Sequence, residues 1–433
     1  MSDSGSQGAQ VTELSSGIRV VTEAVPSVRS VALGLWVRTG SRDETPAQAG
    51  VSHFLEHLLF KGTERHSAIE IAEIFDGMGA SVNAATGKES TQLHARLLDT
   101  HTDQAFDLLA EMLLGPTYPD IDSEREVVLE EIAMYEDEPS DRVHDVLDEA
   151  IFGEHPLGRR ILGAAEVIRS IPIPDIKAYH RARYTASSIV VAAAGNLSHG
   201  EIVELTRQHV ESRDPAPSAE DSDGAVPEPQ ARVGFHCKDT EQYHVTLGGP
   251  GIQRGDDRRH ALAILDTVFG GSTSSRLFRE VREKRGLAYA VGSYTQQFAD
   301  GGLIGLYVGT REDNIEEACE VIAAELSSIH SEGITQEELA RAKEHVKGRL
   351  VLSSESTAAR MSRIGKAVLF ETDLLSLDEM IGRVDAVSLD DVAALADELY
   401  APDQLAAAAI APSEDRFRAA LAPINSSFAA APA

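Results

Sequence analysis

Two imidazoles and a carboxylate stand at His53, Glu56 and His57, a spacing of i, i+3 and i+4. On a helix these positions share one face, within an arc of roughly 100°. Two imidazoles one turn apart can ligate a single zinc ion, and a carboxylate set between them reaches a water held at the metal. The order His-x-x-Glu-His is the inverted form of a zinc-peptidase signature. Phe54, Leu55, Leu58 and Leu59 surround the three polar groups, so the helix that carries them reads as buried. Burying two histidines and a glutamate is costly unless they are paired or metal-bound. Histidines satisfied within an ordinary core would fit the same five residues, so the pattern needs support from elsewhere in the chain.

A catalytic zinc usually takes three protein ligands and leaves the fourth position open. The best source of a third is the run from Glu124 to Ile132. Positions 124, 127, 128, 131 and 135 follow a helical stripe, which places Glu124 and Glu131 on one face with Val127, Val128 and Tyr135. Glu126, Glu130 and Asp137 fall on another, wetter face. Two acids on an otherwise apolar stripe call for a reason, and Glu131 on the metal with Glu124 orienting a ligand histidine would supply it. Taken alone, such a run of acids reads as a solvated helix.

Two further stretches stand out. Gly77 to Thr86 is a glycine-containing turn running into a strand, and Ser274 to Tyr289 is a basic run in the second half, which has no His-x-x-Glu-His at the matching position. With these in place the chain resembles the pitrilysin/insulinase family of zinc metallopeptidases. It looks like a half-length, bacterial-type member, similar to the mitochondrial processing peptidase beta subunit. The resemblance covers nearly everything from Val20 to Ala411 and rests on four motifs in the family's order. They are His53–His57 followed by Phe60-Lys61-Gly62-Thr63, the Glu124–Glu131 run, the Gly77–Thr86 segment and the Ser274–Tyr289 run.

What the resemblance implies is specific. His53, His57 and Glu131 would hold one zinc ion per chain, Glu56 would be the general base, and Glu124 would support a ligand from behind. Asn83, Ala84 and Thr86 would lie on an edge strand to which substrate backbone adds as a further strand. Gly79-Ala80 stands where the family often has two glycines, a small departure. Arg282 and Tyr289, seven residues apart, would bind substrate and stabilise a developing oxyanion. Half-length members pair into a hollow clamshell, so a homodimer with the site completed in trans is expected, acting on peptides or unfolded segments. A non-catalytic scaffold or regulatory subunit of a processing-peptidase-like complex is the alternative, since some family members have lost the metal motif. A purely structural zinc site is disfavoured by the base-competent glutamate between the histidines.

These residues need two domains to position them. The 433 residues suffice for more than one core, and Glu211 to Gln230, rich in Pro, Ser, Asp and Glu, reads as an exposed acidic linker. It separates residues 10–210, carrying the metal residues, from 231–433, carrying the Arg/Tyr pair. The halves look like copies: Ile189–Asn196 has its counterpart in Leu405–Pro412, and Ser30–Val37 in Tyr243–Pro250. Alternation at Ser30–Val37 and Thr91–Leu97, and 3.6-residue periodicity at Thr102–Leu114 and Asn314–His330, point to α+β domains. Each should be an antiparallel sheet backed by helices, with helices dominating Ser123–Phe152 and Gln336–Leu352.

With 39 basic against 70 acidic residues, a net charge of −31 argues against nucleic acid or an anionic membrane as partner. Cys237 and Cys319 imply no disulfide framework. The Ser/Gly/Gln-rich N-terminus lacks the features of a signal or transit peptide, and no apolar run could span a bilayer, so a cytoplasmic location is expected.

Overall fold

A computed structural model describes residues 8–211 and 232–429. The linker expected at 211–230 lies, apart from Glu211, outside the described residues.

Eleven strands form two sheets among the described residues. The first runs in the order β1 (Gln10–Glu13), β2 (Arg19–Ala24), β6 (Ile189–Gly195), β3 (Ser30–Val37), β5 (Thr91–Leu98) and β4 (Ser81–Thr86). The second runs β7 (Val233–Cys237), β11 (Ala406–Ala411), β8 (Gln242–Gly251), β10 (Gly302–Arg311) and β9 (Ala288–Gln297). With β1 set aside, the two orders match strand for strand, and β6 and β11 occupy the same place, as duplication requires. Neither sheet is wholly antiparallel: β2 pairs with β6, and β7 with β11, in parallel. The reason is topological. In the first sheet, β6 returns late in the chain and inserts between β2 and β3, so it must run parallel to one and antiparallel to the other.

Two compact units divide the chain, and each borrows a segment from the other half of the sequence. The first sheet is grouped with Val351–Leu377, and the second with Ala133–Arg159. The borrowed helix Thr357–Leu369 packs Met361, Ile364 and Leu369 against Trp36, Ala32, Val190 and Ala192 on the first sheet. The borrowed helix Pro139–Phe152 packs Val143, Leu147 and Ile151 against Leu303, Ala406 and Ile410 on the second. The alternation in Ser30–Val37 implied a strand wet on one face, but Val31 to Val37 are all buried, because the borrowed helix covers that side. The approach is close enough to need glycine. A Cβ on Gly34 would sit 2.5 Å from the Met361 sulfur, and one on Gly365 would sit 2.6 Å from Trp36 Nε1.

The helical stretch expected over 123–152 is two helices, Ile121–Asp137 and Pro139–Phe152. Proline disfavours helical backbone in the residue before it, and Glu138 is extended (φ −104°, ψ 92°). The break lets the first helix stay with the first sheet's core, through Val128 and Ile132, while the next covers the second sheet. Among the described residues no helix is long and apolar enough to cross a membrane.

Candidate metal centre

His53, Glu56 and His57 sit on the helix Val51–Leu58, which turns Val51, Phe54, Leu55 and Leu58 into the first unit's core. Gly50 starts the helix in the left-handed region (φ 94°), where a Cβ would also meet the Leu162 carbonyl oxygen at 2.6 Å. Glycine is therefore the residue that fits there. The helix Ile121–Asp137 supplies Glu124 and Glu131. Glu124 and Val128 are buried, Glu131 is half-buried, and Glu126, Glu130 and Asp137 are exposed. The expected phase holds except at Val127, which is 49% exposed rather than part of the buried stripe. It lies on the flank of that stripe, one turn before Glu131, on the side that opens to solvent.

The three expected ligands converge. Glu131 Oε2 lies 3.6 Å from His53 Nε2 and 3.2 Å from His57 Nε2, and the three ligand atoms fall within 4.8 Å of one another. A tetrahedral zinc with bonds of about 2.0–2.1 Å sets its ligand atoms about 3.4 Å apart, so the spacing fits that ion. The imidazole rings meet edge to face, 4.7 Å between centroids. Among the described residues no other group of three His, Cys, Asp or Glu side chains gathers in this way.

Charge and hydrogen bonding prepare the two histidines differently. Burial, opposed by Glu131 and aided by His57, pushes His53 down to about 4, which keeps its ring neutral. Its Nδ1 is buried with no hydrogen-bond partner among the described residues. Burial acts the same way on His57, but hydrogen bonds to Glu131 and Glu124 outweigh it and raise its pKa. His57 Nδ1 donates to Glu124 Oε1 at 2.8 Å, which leaves Nε2 to face Glu131. Glu124 is 5% exposed, and its other oxygen accepts from Lys61 Nζ at 2.5 Å. Lys61 thus balances a buried carboxylate that holds the His57 ring, a role its place in the Phe60–Thr63 motif did not reveal. The hydrogen bond from His57 holds Glu131 below the usual carboxylate range.

Glu56 stands apart from this triangle. Burial raises its pKa, and a hydrogen bond from Thr86 Oγ1 at 2.5 Å opposes the rise. Thr86 lies on β4, the edge strand of the first sheet. Sequence reading placed Thr86 on the substrate strand but not on the base. Of its neighbours there, Ala84 is buried, and Asn83 is exposed with its own Oδ1 accepting from the Ala84 N–H at 2.9 Å.

Arg282 and Tyr289 belong to the second unit and are held together. Arg282 lies on a short π-helix, Phe278–Glu283. Its guanidinium stacks between the rings of Phe278 (4.7 Å) and Tyr289 (4.3 Å) and donates to the Tyr289 carbonyl oxygen at 2.9 Å. Tyr289 is 78% exposed, which leaves its hydroxyl free to meet a partner.

Comparison with known proteins gives the chain's family. Residues 19–165 match the family described as Insulinase (Peptidase family M16), and residues 170–346 match the Peptidase M16 inactive domain. An uncharacterized zinc protease of Streptomyces coelicolor is 44% identical over 393 residues, covering 89% of this chain and 86% of the relative. One of Bacillus subtilis is 43% identical over 401 residues, covering 92% and 97%. An uncharacterized zinc protease of Mycobacterium tuberculosis is 40% identical over 393 residues, covering 90% of each. Among solved structures, a peptidase M16 inactive domain from Pseudomonas fluorescens superposes with a TM-score of 0.88 at 24% identity, covering 94% of this chain and 98% of that one. A protease from Helicobacter pylori superposes with a TM-score of 0.87 at 24% identity, covering 93% and 99%. By its two matched domains and its relatives along almost its whole length, this chain belongs to the insulinase family, peptidase family M16.

Proposed function

We propose that this chain is a zinc-dependent endopeptidase that hydrolyses peptides or unfolded protein segments. One observation carries the reading: two imidazole nitrogens and a carboxylate oxygen meet at zinc-ligand spacing beside a separate half-buried carboxylate, Glu56. His53, His57 and Glu131 would hold the ion. Bound zinc supplies Lewis acidity, polarising the scissile carbonyl and making water acidic near neutral pH.

The chain's own residues do the rest. Glu56 takes a proton from the attacking water on its carboxylate and passes it to the leaving amine nitrogen. Its raised pKa suits both tasks, since a carboxylate poised nearer neutrality accepts and releases a proton readily. Thr86 holds that carboxylate in place, and Glu124 with Lys61 fixes the His57 ring. Asn83 and Ala84 lie on the edge strand that would take the substrate backbone. Arg282 and Tyr289, a stacked cation and an exposed phenol, would stabilise the oxyanion. Because that pair sits on the metal-free copy, we assign it to the facing subunit of a homodimeric chamber, a reading supported by family resemblance.

Three outcomes test this function. The Glu56→Gln variant should retain zinc and lose turnover by about 100-fold or more; a zinc-loaded variant with near-normal activity removes Glu56 from the mechanism.

Zinc affinity should weaken as pH falls below neutrality, because zinc must then displace a proton from a ligand ring. The sign follows from the two rings. His57, raised, keeps a proton that zinc must displace, whereas His53 at about 4 is already neutral. Titration calorimetry at a series of pH values checks this, and a zinc affinity that does not weaken on acidification contradicts the assignment.

Refolding His53→Ala together with Arg282→Ala/Tyr289→Phe should restore about a quarter of wild-type activity, because one site in each mixed dimer is then whole. No rescue on mixing means the site is built within one chain.

A further inference from the structure

We infer that Glu44 is a positioning residue for zinc, acting as a buried carboxylate cap that fixes the first turn of the motif helix and so aims His53. Glu44 is 2% exposed and lies six residues before the helix's cap residue, Gly50. Its Oε2 accepts from the Gly50 N–H and its Oε1 from the Ser52 N–H, each at 2.7 Å. Those N–H groups are among the donors that a helix start leaves without an internal partner. Helices usually solve this with a Ser, Thr, Asp or Asn side chain at the cap itself. This helix cannot. Position 50 has φ 94° and lies too close to the Leu162 carbonyl for any Cβ, so it carries no capping side chain. The cap must come from outside the helix, and Glu44 provides it, with its charge at the positive end of the helix dipole.

The link to the metal is His53. His57 has its own orienting partner in Glu124. His53 has none: its Nδ1 is buried and unpartnered among the described residues. Its aim therefore depends on where the first turn of the helix stands, and His53 directly follows Ser52, one of the two residues that Glu44 holds. The helix is only eight residues long, too short to set its own start. The Tyr179 hydroxyl, itself buried, bonds the Ser52 hydroxyl at 2.7 Å and backs the same turn.

The inference rests on the zinc reading of the ligand group, and its test separates the two. Zinc affinity is measured by competition with a chromogenic chelator for wild type, Glu44→Gln and Glu23→Gln. Glu23 is the control. It is a buried carboxylate of the same unit whose ion pairs are with Arg360 and Arg363, neither of them a site residue. Glu44→Gln should fold, bind zinc about 10-fold more weakly and lose kcat with little change in KM, as loss of an indirect support does. Glu23→Gln should lower the melting temperature and leave zinc affinity unchanged. If Glu44→Gln does not fold, Glu44→Asp, which keeps the charge but shortens the reach, replaces it with the same expectation. A folded Glu44 variant with wild-type zinc affinity overturns the inference, as does an equal affinity loss in Glu23→Gln. A wild-type protein that takes up no zinc overturns the zinc reading and the inference together.

Discussion

Two imidazole nitrogens and a carboxylate oxygen can share one small ion only if their side chains leave bulk water and are still held a little over 3 Å apart. Under the proposed function, that requirement accounts for how the first unit surrounds His53, His57 and Glu131. Phe54, Leu55, Leu58 and Val128 provide the desolvation, being buried to within a percent. Desolvation alone would scatter the polar groups, because each must recover the hydrogen bonds it loses. The recovery is layered. Glu131 faces both rings, Glu124 bonds His57 from behind, Lys61 balances Glu124, and Thr86 holds Glu56 clear of the triangle. Two carboxylates close together thereby take different roles. Glu131, bonded to His57, is held below the ordinary range, while Glu56, half-buried with Thr86 as its hydrogen-bond partner, is raised above it by desolvation.

Duplication accounts for the second unit and for what it lacks. Its sheet repeats the first in strand order and in its one parallel pair, yet no three metal-binding side chains gather there among the described residues. The copy carries instead Arg282 stacked between Phe278 and Tyr289. The borrowed helices bear on how the units fold. Trp36 and Ala192 of the first sheet are covered by residues more than 150 positions later in the chain, so that face closes only once the second half exists. Such long-range closure is the kind of contact that slows folding.

Much of the site was legible because its signals are local. The 53-56-57 spacing needs only helical geometry, and the phase that buries Glu124 and exposes Glu130 needs only 3.6 residues per turn. The duplication showed in paired segments such as Ile189–Asn196 and Leu405–Pro412, which became β6 and β11 at matching places. What escaped was non-local. The parallel pairs and the two-sided burial of Ser30–Val37 depend on segments that arrive from far along the chain. Thr86 on Glu56 depends on an edge strand meeting a helix 30 residues away. Glu44 belongs to none of the motifs read from the sequence, and only the fold of its segment over the helix start turns it into a cap. Val127 was misjudged because a stripe drawn on a helical wheel does not say where its rim meets solvent.

The central claim is that His53, His57 and Glu131 share one ion and that Glu56 does not. Anomalous diffraction at the zinc edge on crystals of the zinc-loaded protein tests it most directly. The account predicts one peak per chain, within about 2.0–2.2 Å of His53 Nε2, His57 Nε2 and a Glu131 oxygen, with the Glu56 carboxylate outside bonding distance. A peak elsewhere, or one in which Glu56 replaces Glu131 among the ligands, would contradict it.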